Sequence, residues 1–149
     1  MKPSLTWLLA ILLAGFFMAI TGKTGPTRAA EGEQQVQGRV FELRIYKTRP
    51  GKLDALNKRF REHTNRLFKK HGMELIGYWT PAEGPDSENT LIYILAYPSP
   101  EAREKSWEGF RSDPQWHEAR DASEKDGPIL EQGGVQSTIL NPTDYSPLQ

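Results

Sequence analysis

Five side chains in this sequence are of types that could line a cleft and do chemistry there: Arg44, Tyr46, His63, Tyr78 and Trp107. An arginine can pair with an acidic group on a small molecule through its planar fork of donors. Tyrosine and histidine can pass protons, and the aromatic rings can stack on a planar ring. Each residue also has a plainer structural reading. Arg44 can pair with Glu42 or Glu74 across strands, and Tyr46, Tyr78 and Trp107 can be core or dimer-interface residues. His63 can sit at the edge of the core with a hydrogen-bonded neighbour.

The sequence offers little other reactive chemistry. There is no cysteine, so thiolate, disulfide and lipid-anchored cysteine chemistry are out. No nucleophile–base pair, glycine-rich phosphate loop or metal-ligand spacing is visible. Glu83, Asp86 and Glu88 do not follow the EF-hand pattern and read as a solvated loop. Haem would need an axial ligand; His63 and His117 are the residues that could serve, and no cofactor is expected.

The elements that must position these residues are legible. Val40–Gly51 reads as a strand followed by a Pro50-Gly51 break. Phe41, Leu43 and Ile45 share one face of the strand, and Val40, Glu42, Arg44 and Tyr46 share the other. Leu53, Leu56, Phe60, His63 and Leu67 make one stripe of an amphipathic helix over about 52–71, with Gly72 suited to the left-handed position after its end. The segment 73–80 is a second strand, in which Gly77 allows a bulge or a close approach. TPAEGPDSEN (80–89) is the loop of a wide hairpin. TLIYILAY (90–97) is a near-continuous apolar strand at the centre of the sheet. Ser99-Pro100 and Asp113-Pro114 are N-cap and first-turn pairs that start two helical pieces. Ala102, Ser106, Trp107 and Phe110 form the apolar side of the first, and Trp116 and Ala119 are the buried candidates of the second. Gly133-Gly134 precedes a last strand, 135–140, and the tail 143–149 looks loosely held.

The first 30 residues have another character. A Met-Lys start, an apolar run over 5–20 and small residues around Ala29-Ala30 have the layout of a secretory signal peptide. An uncleaved N-terminal anchor is the alternative, although the run is short for a spanning helix. Cleavage after Ala29 leaves a better residue, Thr27, at the third position back than cleavage after Ala30, which leaves Arg28. The segment 31–38 reads as a linker, and the folded domain as 39–142. The whole chain has 19 basic and 19 acidic residues; three of the bases and none of the acids lie in the leader, so the remainder has 16 against 19, a charge of about −3. That argues against a nucleic-acid partner.

The order strand, helix, strand, strand, helices, strand predicts an α+β domain: a ferredoxin-like split βαβ with a four-stranded antiparallel sheet and helices on one face. Val40, Tyr46, Tyr93 and the apolar positions of the last strand are expected to crowd the second sheet face. That much apolar surface calls for a partner, and a homodimer packed sheet on sheet is the simplest closure.

Taken together, FELRIYKTRPGKLDAL, HGMELIGYWT, LAYPSPEARE, SDPQW and STILNP resemble the NIPSNAP domain of the dimeric α+β barrel superfamily, over about 40–142. The resemblance implies a homodimer whose two sheets make a barrel. Related families include cofactor-independent monooxygenases, small isomerases and haem-handling enzymes, whereas the NIPSNAP family has no established reaction. Its animal members are linked with mitochondria and with vesicle- or autophagy-related interactions, from which the export-type leader departs. The leading expectation is therefore an exported, homodimeric binding or interaction domain, with membrane attachment only if the leader is retained. The alternative is a small-molecule enzyme with an aromatic cleft between sheet and helices, taking a small aromatic ligand.

Overall fold

The computed structural model describes residues 38–149. The leader expected at 1–30, and all of the expected linker but Gly38, lie outside the described residues. Strand β1 (Val40–Thr48) leads into a helix in three parts: α1 (Leu53–Arg59), a π turn (Phe60–Thr64) and α2 (Asn65–Lys70). Strands β2 (Glu74–Trp79) and β3 (Thr90–Tyr97), helices α3 (Pro100–Ser112) and α4 (Pro114–Ser123), and strand β4 (Leu130–Leu140) complete the chain order. The sheet is antiparallel with order β2-β3-β1-β4, so β1 and the apolar β3 are its central strands. Among the described residues no helix is long and apolar enough to cross a membrane.

Local chemistry accounts for the boundaries. Ser99 Oγ accepts from the Ala102 N–H at 3.2 Å and Asp113 Oδ1 from the Gln115 N–H at 2.9 Å, each with proline at the first helical position. At the end of α2, Gly72 takes φ +80°. Its N–H bonds the Lys69 carbonyl and the Met73 N–H bonds the Phe68 carbonyl, the paired closure of a Schellman motif.

Three expectations are corrected. The first helix is not uniformly α. The Asn65 N–H reaches back five residues to the Phe60 carbonyl, and the Thr64 hydroxyl donates to the Arg59 carbonyl at 3.3 Å. The extra residue in that turn rotates the rest of the helix about its axis. Phe60, Thr64, Leu67 and Phe68 therefore face the core, and His63 is carried out to a half-exposed position.

The second correction concerns β4, which begins at Leu130, five residues before the expected Val135. Gly133-Gly134 lie inside the strand as a bulge. From Tyr46 to Thr48 is two steps along β1, whereas their partners Val135 and Leu130 are five apart on β4. Gly133 has φ +73°, and a Cβ at Gly134 would lie 2.6 Å from the Lys47 carbonyl oxygen of β1.

The third is the choice of sheet face. Val40, Tyr46 and Tyr93 do not crowd the second face. They lie in the core with Leu56, Phe60, Leu67, Phe68, Trp107 and Phe110, beneath the helices. By alternation the outward face carries Phe41, Leu43, Ile45, Ile92 and Ile94. Trp79 joins them: its indole lies over Gly77, where an added Cβ would be 2.6 Å from the ring. The register shift expected at Gly77 is present, between Leu75 and Gly77. The tail turns back through a Ser146 N–H to Thr143 carbonyl bond, and Arg39 Nη1 donates to the Gln149 carbonyl at 2.8 Å. Pro142 and Leu148 border an open apolar groove of about 300 Å³ over Phe41, Ile94 and Leu140.

Candidate functional site

Beneath α3 the sheet presents a carboxylate, Glu42, that is fully buried. Arg103 holds it with two bonds, Nε to Oε2 at 2.9 Å and Nη2 to Oε1 at 2.8 Å. Arg44 Nη1 donates to Oε1 at 2.7 Å and the Ser137 hydroxyl at 2.6 Å. Trp107 Nε1 donates to Oε2 at 2.7 Å and the Tyr97 hydroxyl at 2.9 Å. Six donors from five residues fill the roughly four lone-pair positions of a carboxylate. Burial alone would raise the Glu42 pKa; the donors on Arg103, Ser137, Trp107 and Arg44 outweigh it and lower the pKa to about 2. Glu42 is thus ionised and saturated, with no lone pair free to take a proton from a substrate.

The elements explain the convergence. Tyr97 on β3 and Ser137 on β4 flank Glu42 diagonally across β1, on the same face. Arg103 and Trp107 are one turn apart on α3 and point down together.

Beside this cluster a cleft of about 470 Å³ opens between the sheet and the two C-terminal helices. Arg44, Tyr46 and Trp107 line its inner part. The Arg44 guanidinium lies 4.3 Å from the centre of the Trp107 ring and 5.3 Å from that of Tyr46, and its Nη2 donates to the Tyr46 hydroxyl at 3.1 Å. Phe110 and Trp116, with centroids 4.6 Å apart, add an aromatic wall, and Arg103, Arg111, His117 and Arg120 complete the lining. Among the described residues two carboxylates answer these four arginines: Glu42, and Asp121, which pairs with Arg120 at 2.8 Å. A surplus of two positive charges remains. His117 Nε2–H donates to the Arg111 carbonyl at 2.7 Å, which ties the first turn of α4 to the end of α3.

Of the five residues singled out from the sequence, Arg44, Tyr46 and Trp107 meet in this cleft. Tyr78 does not line it. Its ring stacks on Tyr93 at 5.5 Å and meets Phe60 edge-on at 5.8 Å, inside the core. Burial raises both phenol pKa values, and neither hydroxyl has a hydrogen-bond partner among the described residues. His63 lies apart, in a groove between α1 and α4 with Lys58 and Ala119. The Glu42 cluster itself and the outer cleft residues were not singled out. A signal for the latter was present: Arg103, Trp107 and Arg111 recur every four residues on one helix, as do Trp116 and Arg120 on the next.

A second buried carboxylate is structural. Asp113 caps α4 and also accepts from Lys70 Nζ and His71 Nε2, both at 2.7 Å, so one side chain joins the end of α2 to the α3–α4 junction. Those bonds, from Lys70 first and then His71 and the Gln115 N–H, hold its pKa well below the usual carboxylate range.

The order of strands, the helices packed on one face and the antiparallel pairing define a ferredoxin-like α+β domain. The NIPSNAP family model matches residues 41–147, and the chain belongs to that family. Solved structures agree. A NIPSNAP-like domain protein from Burkholderia xenovorans is 25% identical with a TM-score of 0.64, over 74% of this chain and 90% of its own. A NIPSNAP family protein from Agrobacterium tumefaciens is 29% identical with a TM-score of 0.64, over 74% and 99%. SnoaB, a cofactor-independent oxygenase from Streptomyces nogalater, is 10% identical with a TM-score of 0.50, over 74% and 98%, and shares the fold alone. No match was found among curated proteins.

Proposed function

We propose that this NIPSNAP-family chain is an exported, homodimeric binding and interaction domain, in which two copies associate through their outward sheet faces. The observation that carries this reading is the character of that face. Leu43, Ile45, Ile92 and Ile94 are only partly covered, and Trp79 is 50% exposed beside them. The tail covers the Phe41 end and leaves the rest. A row of large aliphatic side chains on two central strands is a surface that water disfavours and that a second, identical face can cover about a two-fold axis. Export rests on the charge and hydropathy pattern of residues 1–30. The enzyme alternative has less support, since the likeness to an oxygenase is one of fold and the carboxylate nearest the cleft is saturated by donors.

Light scattering on the protein purified from its host tests the association. The expected mass is that of two chains at micromolar concentration, and Ile94→Glu should give a folded single chain. A parent protein that is a single chain would overturn the dimer. The first residue found by N-terminal sequencing tests export: a start at Ala30 or Glu31 is expected, and an intact Met1 in a cytoplasmic fraction is the contrary result.

A further inference from the structure

We propose that the cleft between α3, α4 and the sheet is a binding site for a small aromatic carboxylate. The ring would lie against Trp116, the half-buried indole of the lining, and the acid group would be paired by Arg111 and Arg120. This rests on the reading of the chain as a binding domain but not on its being a dimer.

Four observations converge. The charge in the cleft is positive and only partly answered: Arg44 and Arg103 share one carboxylate, and Arg120 has Asp121. Arg111 has no ion pair among the described residues. Glu42, buried behind the lining, does not oppose an anion strongly, because the guanidiniums of Arg44 and Arg103 both pair with it and offset its charge. The cations are all guanidiniums, whose flat fork matches a carboxylate in a way a lysine ammonium does not. Finally, the rest of the lining is aromatic, and at about 470 Å³ the space is in the range of small-ligand pockets and suits a one- or two-ring acid. An inorganic anion would use the charge and leave those rings idle.

Isothermal titration with 2-naphthoate, on the protein as purified from its host, is the test. Naphthalene-2-carboxamide, cyclohexanecarboxylate and inorganic phosphate serve as comparison probes. Naphthoate should bind, and both the uncharged amide and the non-aromatic acid should bind on the order of tenfold more weakly. The double variant Arg111→Gln, Arg120→Gln, altered only in side chains at the mouth of the cleft, should lose a similar factor with its melting temperature unchanged. Absence of naphthoate binding overturns the proposal. So does equal affinity in the double variant, or phosphate binding as tightly as naphthoate, which would make this a general anion site. The mass of the same sample, read separately, reports on the dimer without bearing on the cleft.

Discussion

Arg103 and Glu42 are 61 residues apart in sequence and share two parallel hydrogen bonds of 2.8 and 2.9 Å beneath α3. That pair ties α3 to the central strand β1. The carboxylate also gathers Arg44, Tyr97, Trp107 and Ser137, so β1, β3, β4 and α3 all converge on one buried anion.

Removing that anion should therefore be costly. Glu42→Gln puts an amide, with two donors of its own, among six donors and strands two guanidiniums without a counter-charge. A loss of about 3–5 kcal/mol is expected. Glu62→Gln, at an exposed position, should change stability by under about 0.5 kcal/mol. Urea unfolding monitored by circular dichroism measures both.

The same group sets an acid limit. Its folded pKa of about 2 lies below the ordinary value of 4.5, so its contribution is fully present above pH 4.5 and is lost as pH falls through 2. The shift corresponds to about 3 kcal/mol across that window. Asp113, also depressed, acts in the same direction. Denaturation midpoints measured from pH 6 to pH 2 should fall steeply, and Glu42→Gln should flatten part of the slope. An unchanged slope in the variant would mean that Glu42 is not the group responsible.

The π turn makes a prediction that a regular helix would reverse. With Thr64 and Phe68 turned inward, His63→Ala should cost under about 0.5 kcal/mol, while Phe68→Ala, at a fully buried position off the uniform stripe, should cost about 3–5 kcal/mol. A large loss for His63→Ala would restore the uniform stripe.

The bulge in β4 is equally specific. Gly134→Ala forces a Cβ to within 2.6 Å of the Lys47 carbonyl, backbone that cannot swing aside, and should destabilise by about 1–3 kcal/mol. Chemical denaturation checks this directly.

How much of this was legible in the sequence depends on the range of each interaction. Caps, the Gly72 closure, the irregularity at Gly77, the alternation in β1 and the continuous apolar run of β3 are local, and their residues announce them. The π turn is not announced, because Phe60, His63 and Leu67 fit an ideal wheel as well as Phe60, Thr64 and Phe68 fit the real one. The choice of sheet face went the wrong way for a physical reason. Phe41, Leu43 and Ile45 are all apolar, and the neighbouring set contains Glu42 and Arg44, so the apolar set looks like the inner one. The partners that make Glu42 acceptable inside lie 55 to 95 residues away, except for Arg44, and no local pattern connects them. Of the cleft, Arg44, Tyr46 and Trp107 were legible; Arg111, Trp116 and Arg120 required knowing that α3 and α4 fold over the same side of the sheet.

The reversal of faces strengthens the case for a partner, since the wholly apolar set is the one left outward. Native mass spectrometry of the protein purified from its host tests that claim most directly. Two chains per particle at micromolar concentration is the expected result. A particle of one chain, with Ile94→Glu leaving its mass and stability unchanged, would contradict the reading of this sheet face as the surface on which the molecule assembles.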